Sequence, residues 1–187
     1  MQLDTRMLSL AVAAAVVVAV ERARTPPSPA AHPPALLGPT DPGASYCTGD
    51  GLDSVVTAMC PGGNFGHPGQ GCSNGNMSLG GALLSATGTT SPNTVLLHCS
   101  PLPTNALATF VQCTASTPTG FVVGNGVSCV AGTLIRFGQQ PSGSAGIFAV
   151  EAAAPPVSPG TTRYYQVHYR LGATPTYNVS NGYVITW

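Results

Sequence analysis

The chain contains no lysine, and only 6% of its 187 residues are charged. Ordinary soluble domains carry roughly 25%. Without lysine there can be no P-loop phosphate grip, no Schiff-base amine and no Ser–Lys dyad. Beyond residue 24 the cations are Arg136, Arg163 and Arg170. Three arginines cannot neutralise a nucleic-acid backbone, so nucleic acid is not an expected partner. Acids are equally scarce: Asp41, Asp50, Asp53 and Glu151 are all that follow residue 23. That supply argues against the paired carboxylates of glycoside cleavage. The formal net charge is zero, which implies no electrostatic steering. Past the amino terminus no apolar run approaches the roughly 20 residues of a spanning helix. Turn formers fill the deficit, with 23 glycines and 18 prolines among them.

The apolar stretch at 7–20, MLSLAVAAAVVVAV, reads as the h-region of a secretory signal, with Arg6 ahead of it. It is short for a span, so a cleaved signal is expected over residues 1–23, with an uncleaved anchor as the alternative. Arg22 and Arg24 follow the run, where positive charge opposes export. Cleavage could fall after Ala19 or near Ala30. Residues 24–44 form a proline-rich linker that favours extended, solvated chain, with His32 exposed in it. The remaining segment, 45–187, is read as one module. The expected location is secreted or in the cell envelope.

Residues 45–76 hold three cysteines and many glycines with little periodicity, as expected for disulfide-pinned loops. From residue 80 onward, short apolar runs alternate with turn residues. Candidate strands are 81–87, 94–99, 107–114, 120–123, 133–137, 146–150, 163–170, 176–179 and 183–187. Ser91-Pro92-Asn93, Ser100-Pro101, Gly124-Asn125-Gly126, Pro155-Pro156 and Asn181-Gly182 separate them, the last read as a hairpin turn. Alternation is clearest at 163–170. Tyr165, Val167 and Tyr169 point one way; Tyr164, Gln166, His168 and Arg170 point the other. The expected fold is all-β, an antiparallel two-sheet sandwich, Ig-like or jelly-roll-like, with a disulfide-pinned N-terminal loop region.

Tyr46-Cys47-Thr48-Gly49-Asp50-Gly51, Cys60-Pro61-Gly62-Gly63-Asn64 and Gly71-Cys72-Ser73-Asn74 occur in that order. GALLSATG at 81–88, RYYQVHYR at 163–170 and YNVSNGYVITW at 177–187 follow. Together they resemble a recurring cysteine-containing β-rich module of exported bacterial proteins, often found at the carboxyl end of larger chains. The resemblance spans 45–187 and implies export without implying an activity. Two features depart from that pattern. Cys60-Pro61-Gly62 stands where members often carry Cys-Pro-Cys, and 173–176 lacks a cysteine that members often have there. Cys99 and Cys113 look like additions.

Six cysteines allow fifteen pairings, and spacing alone does not choose among them. Cys99 and Cys113 lie on consecutive predicted strands and could face each other across a hairpin; that bridge would contribute about 3 kcal/mol. Cys60 with Cys72 and Cys47 with Cys129 complete the expected map. A zinc site lacks its usual Cys-x-x-Cys spacing, and His67 is the nearest histidine.

Gly71-Cys72-Ser73-Asn74-Gly75 matches G-x-S-x-G, but no strand-to-helix context surrounds it. His98 or His168 with Glu151 would complete a triad on paper. Asp50 and Asp53 are calcium candidates without EF-hand spacing, with Asn64 as a further carbonyl donor; turn formation is their plainer role. The sequons at Asn76 and Asn178 matter only in a host with N-glycosylation.

The sequence thus points to an exported, non-enzymatic structural or adhesive module with no cofactor. A carbohydrate-binding module using the face of Tyr164, Gln166, His168 and Arg170 is the alternative. A serine hydrolase using Ser73 is the second alternative. Expected partners are an extracellular glycan or another cell-surface protein, and a membrane only through an uncleaved N-terminal segment.

Overall fold

A computed structural model describes residues 41–75, 79–143, 148–171 and 176–187. The apolar stretch at 7–20 and nearly all of the proline-rich segment lie outside these. Among the described residues nine strands follow one another: β1 (Gly43–Tyr46), β2 (Leu83–Thr87), β3 (Leu96–Leu102), β4 (Leu107–Val123), β5 (Gly126–Pro141), β6 (Phe148–Ala153), β7 (Thr162–Arg170), β8 (Tyr177–Val179) and β9 (Gly182–Thr186). The helical content among the described residues is a single 3₁₀ turn, Pro61–Gly63. One sheet has six strands in the order β1-β9-β7-β4-β5, with β8 also pairing β7; the other is β2-β3-β6. Every pairing is antiparallel. The described residues therefore form an all-β, two-sheet structure, as their alternating pattern predicts.

The core forms where the inner faces of the two sheets meet. Leu84, Leu97, Cys99 and Leu102 come from the smaller sheet; Phe110, Tyr165, Val167, Tyr169 and Ile185 come from the larger. On β7 the predicted alternation holds, since Tyr165, Val167 and Tyr169 are all fully buried in this cluster. Burying a side chain of this size contributes about 1.5–3 kcal/mol. Asn181 joins the two sheets. Its Oδ1 accepts from the Leu84 amide at 2.6 Å, and its Nδ2 donates to the Leu84 carbonyl at 3.0 Å.

That role overturns the hairpin predicted at Asn181-Gly182. β8 pairs with 168–170 of β7, and β9 pairs with 162–165 of the same strand. The two are collinear pieces of one strand, interrupted at Ser180 and Asn181. A tight I′ turn needs positive φ at both central residues, and neither Asn181 nor Gly182 is among the residues with positive φ. Gly182 instead makes room for Tyr46, whose Cε1 would lie 2.5 Å from an added Cβ.

Four further boundaries differ from expectation. Ser100-Pro101 lies inside β3, and the chain leaves that sheet only after Leu102. Gly43 and Ala44, assigned to the linker, pair with Ile185 and Val184 in β1. The predicted strands 107–114 and 120–123 are one strand, and the predicted strand 133–137 is the middle of β5.

Two disulfides form, Cys47–Cys129 and Cys60–Cys72, with Cα–Cα separations of 6.1 and 5.7 Å. The predicted Cys99–Cys113 bridge does not form; both residues are free and buried. The two strands are consecutive in sequence but belong to opposite sheets. Cys99 points into the inter-sheet core, while Cys113 packs with Val111, Val130 and Tyr164 on the far face of the larger sheet. Burial pushes both thiols above their ordinary pKa, which keeps them protonated and unreactive. Maleimide labelling without reductant is therefore expected to modify two thiols per chain in denaturant and essentially none in the native protein. Finding no thiols in denaturant would reinstate the third bridge.

Candidate functional site

β4 and β5 are far longer than ordinary strands of 5–6 residues, and they do not stay flat. Their pairing slips between Cys113 and Ala115 and again between Ser116 and Phe121. Gly132 and Gly120, with φ of 77° and 71°, sit near these slips. Such bulges with left-handed glycines bend a ribbon sharply. The distal half of the hairpin consequently folds back as an arm across the outer face of the larger sheet. At its tip, the Asn125 amide donates to the Tyr177 carbonyl of β8 at 2.7 Å.

Gln166 fixes the arm from below. It lies on the outer face of β7, is 0% exposed and uses both ends of its amide. Its Oε1 accepts from the Cys129 amide at 2.8 Å and the Ser128 hydroxyl at 3.1 Å. Its Nε2 donates to the carbonyls of Ser180 at 2.9 Å and Val127 at 3.2 Å. The segment from Tyr46 to Cys72 packs on the arm around the two disulfides, with Val127 and Cys129 among the buried residues. Asn64 Nδ2 donates to the Asn125 carbonyl at 3.0 Å, and the Thr57 and Ala58 amides both donate to Thr119.

The arm and loop cover one half of the outer face and leave the other half open. There, Arg136 of β5, His168 and Arg170 of β7 and Tyr177 of β8 line a cleft of about 300 Å³. β4 runs between them and adds Thr109 and Val111. Strand register explains the convergence: Val111 pairs with Arg136, Thr109 with His168, and Arg170 with Tyr177. Among the described residues no carboxylate lines the cleft. The Arg170 guanidinium carbon lies 5.7 Å from the centroid of the Tyr177 ring, which is 41% exposed. Gln139 Nε2 donates to Thr109 Oγ1 at 3.2 Å. His168 Nε2 is buried without a hydrogen-bond partner. Burial, with Arg136 adding to it, lowers the His168 pKa to about 4, so the imidazole is neutral at pH 7.

The four residues predicted to form a ligand face are thus divided. His168 and Arg170 line the cleft. Gln166 is a buried structural hub with no surface for a ligand. Tyr164 is half-buried and packs edge-on against Tyr46, with ring centroids 5.9 Å apart. The predicted wet face of β7 is wet only at its carboxyl end, because the arm covers the rest. Arg136, Gln139, Thr109 and Tyr177 were not predicted. No periodicity within their own strands marks them, because four strands supply the cleft.

Ser73 is buried in an isolated bridge to Gly81, and its hydroxyl has no hydrogen-bond partner. The neighbouring Cys72 is in a disulfide. The structure does not bring His98 or His168 to that hydroxyl; it places His98 on β3 opposite Glu151 of β6. Asp50 accepts from Thr48, Leu52 and Gly69, and Asp53 accepts from Val55. These carboxylates shape the loop by bonding nearby backbone. Asn64, the further calcium-donor candidate, supports the arm. Asn76 lies outside the described residues, and Asn178 is fully buried, with Nδ2 donating to the carbonyls of Cys72 and Ser73.

Comparison with protein-family models, with curated proteins and with solved structures finds no match. Fold and site alone define the class: a disulfide-stapled all-β module with a basic cleft on one sheet face. Its two disulfides are consistent with an oxidising, extracytoplasmic setting. Among the described residues no helix is long and apolar enough to cross a membrane.

Proposed function

We propose that this chain is an exported, non-enzymatic adhesive module that binds extracellular glycans through the cleft of Arg136, His168, Arg170 and Tyr177. The cleft itself carries the reading. Its volume, about 300 Å³, falls at the lower end of small-ligand sites. An exposed tyrosine ring at its edge offers the kind of flat apolar face on which a sugar stacks. The Thr109 hydroxyl and Gln139 amide supply hydrogen bonds of the kind sugar hydroxyls take. Among the described residues the lining holds no carboxylate, thiol or serine, and its histidine, His168, has Nε2 buried, which favours binding over turnover. Export is supported by the apolar amino terminus, the disulfides and the resemblance to exported modules.

A glycan array probed with the purified module tests this. Wild type is expected to bind a subset of extracellular glycans, and Tyr177→Ala to lose most of that signal while Tyr164→Ala keeps it. Absence of binding to every glycan would leave only the scaffold role. Signal lost with Tyr164→Ala but not with Tyr177→Ala would move the site.

A further inference from the structure

The cleft concentrates two of the three arginines found beyond residue 24. Among the described residues no acid in its lining offsets them. Elsewhere, Asp50 and Asp53 are engaged with loop backbone and Asp41 lies near Tyr183. Two like charges converging without a counter-charge destabilise the fold slightly unless an anion joins them. Guanidinium groups have the planar fork that pairs with a carboxylate through two parallel hydrogen bonds. The neutral His168 between them leaves a buried ring nitrogen without a partner.

From this set we infer that the ligand is an acidic saccharide of the uronic type. Its carboxylate sits between Arg136 and Arg170, and the sugar ring lies against Tyr177. Thr109 and Gln139 take hydroxyls. A strip of acidic peptide would satisfy the arginines but would make no use of the aromatic edge or of the neutral donors and acceptors beside them. This assignment rests on the glycan-binding reading above and adds the chemical class of the sugar.

Calorimetric titration of the disulfide-intact module with galacturonate, glucuronate and mannuronate oligosaccharides tests it. Their methyl esters serve as neutral isosteres, and an oligoglutamate as a non-sugar polyanion. At least one uronate series is expected to bind, with its ester at least tenfold weaker and oligoglutamate at least tenfold weaker. Arg136→Gln and Arg170→Gln, both at exposed positions, are each expected to weaken uronate binding at least tenfold with unchanged melting temperature. Equal binding of the ester, equal binding of oligoglutamate, or undiminished binding by both variants would overturn the assignment. Failure of all three uronates alongside a neutral hit on the array would sink the acidic class and keep the glycan-binding reading. Failure of every sugar would sink both.

Discussion

Replacing Cys47 and Cys129 together with alanine is expected to lower stability by about 4–5 kcal/mol. The bridge joins residues 82 positions apart, and in the chain-entropy model a loop of that length restricts the unfolded chain by roughly this amount. For a domain of this size the loss corresponds to a melting-temperature drop of roughly 10–18 °C. The same treatment of Cys60 and Cys72, 12 positions apart, is expected to cost about 3 kcal/mol, because a shorter loop removes less freedom. Urea unfolding of both double variants under non-reducing conditions checks the order. Equal losses, or a larger loss from the short loop, would show that native packing rather than loop closure dominates.

Gln166→Leu is expected to cost about 3–5 kcal/mol, although leucine fills a similar volume and is the better core residue. The substitution strips partners from the Cys129 amide and the Val127 carbonyl of the arm and from the Ser180 carbonyl beneath it. Each buried polar group left unpaired costs about 1–3 kcal/mol, with some relaxation offsetting the sum. Because the arm tip holds the Tyr177 carbonyl through the Asn125 amide, the variant should also bind glycan more weakly. Arg170→Leu, by contrast, removes an exposed cation and is expected to change stability by less than about 0.5 kcal/mol. Thermal melts of the two variants side by side decide the matter. Similar melting points would mean that Gln166 faces water, as its polar neighbours on β7 first suggest.

Those two expectations show where local pattern stops being informative. Alternation along 163–170 separates the two faces of β7 correctly, because side chains on a strand must alternate. It cannot tell whether the outer face meets solvent or another piece of chain. Gln166 and Arg170 have the same parity and similar polarity, yet one is sealed under the arm and the other is exposed. Cys99 and Cys113 fail for a related reason. Adjacent strands usually pair, but the connection after Leu102 crosses between sheets, so neighbours in sequence become partners of different layers. Asn181-Gly182 has the composition of a turn, and the hydrogen bonds that Asn181 makes to Leu84 hold it instead as a buried link. In each case a long-range contact outweighs a local preference of about 1 kcal/mol or less.

Composition and short-range pattern alone determined that this protein is β-rich, lysine-free and rich in turns, and which side chains of β7 enter the core. They did so because strand periodicity and turn chemistry act over a few residues. Which cysteines join, which polar residues lie buried and which arginines converge were decided only by the tertiary structure. Those outcomes depend on a bent hairpin arm crossing a sheet, and that crossing brings together residues from strands far apart along the chain.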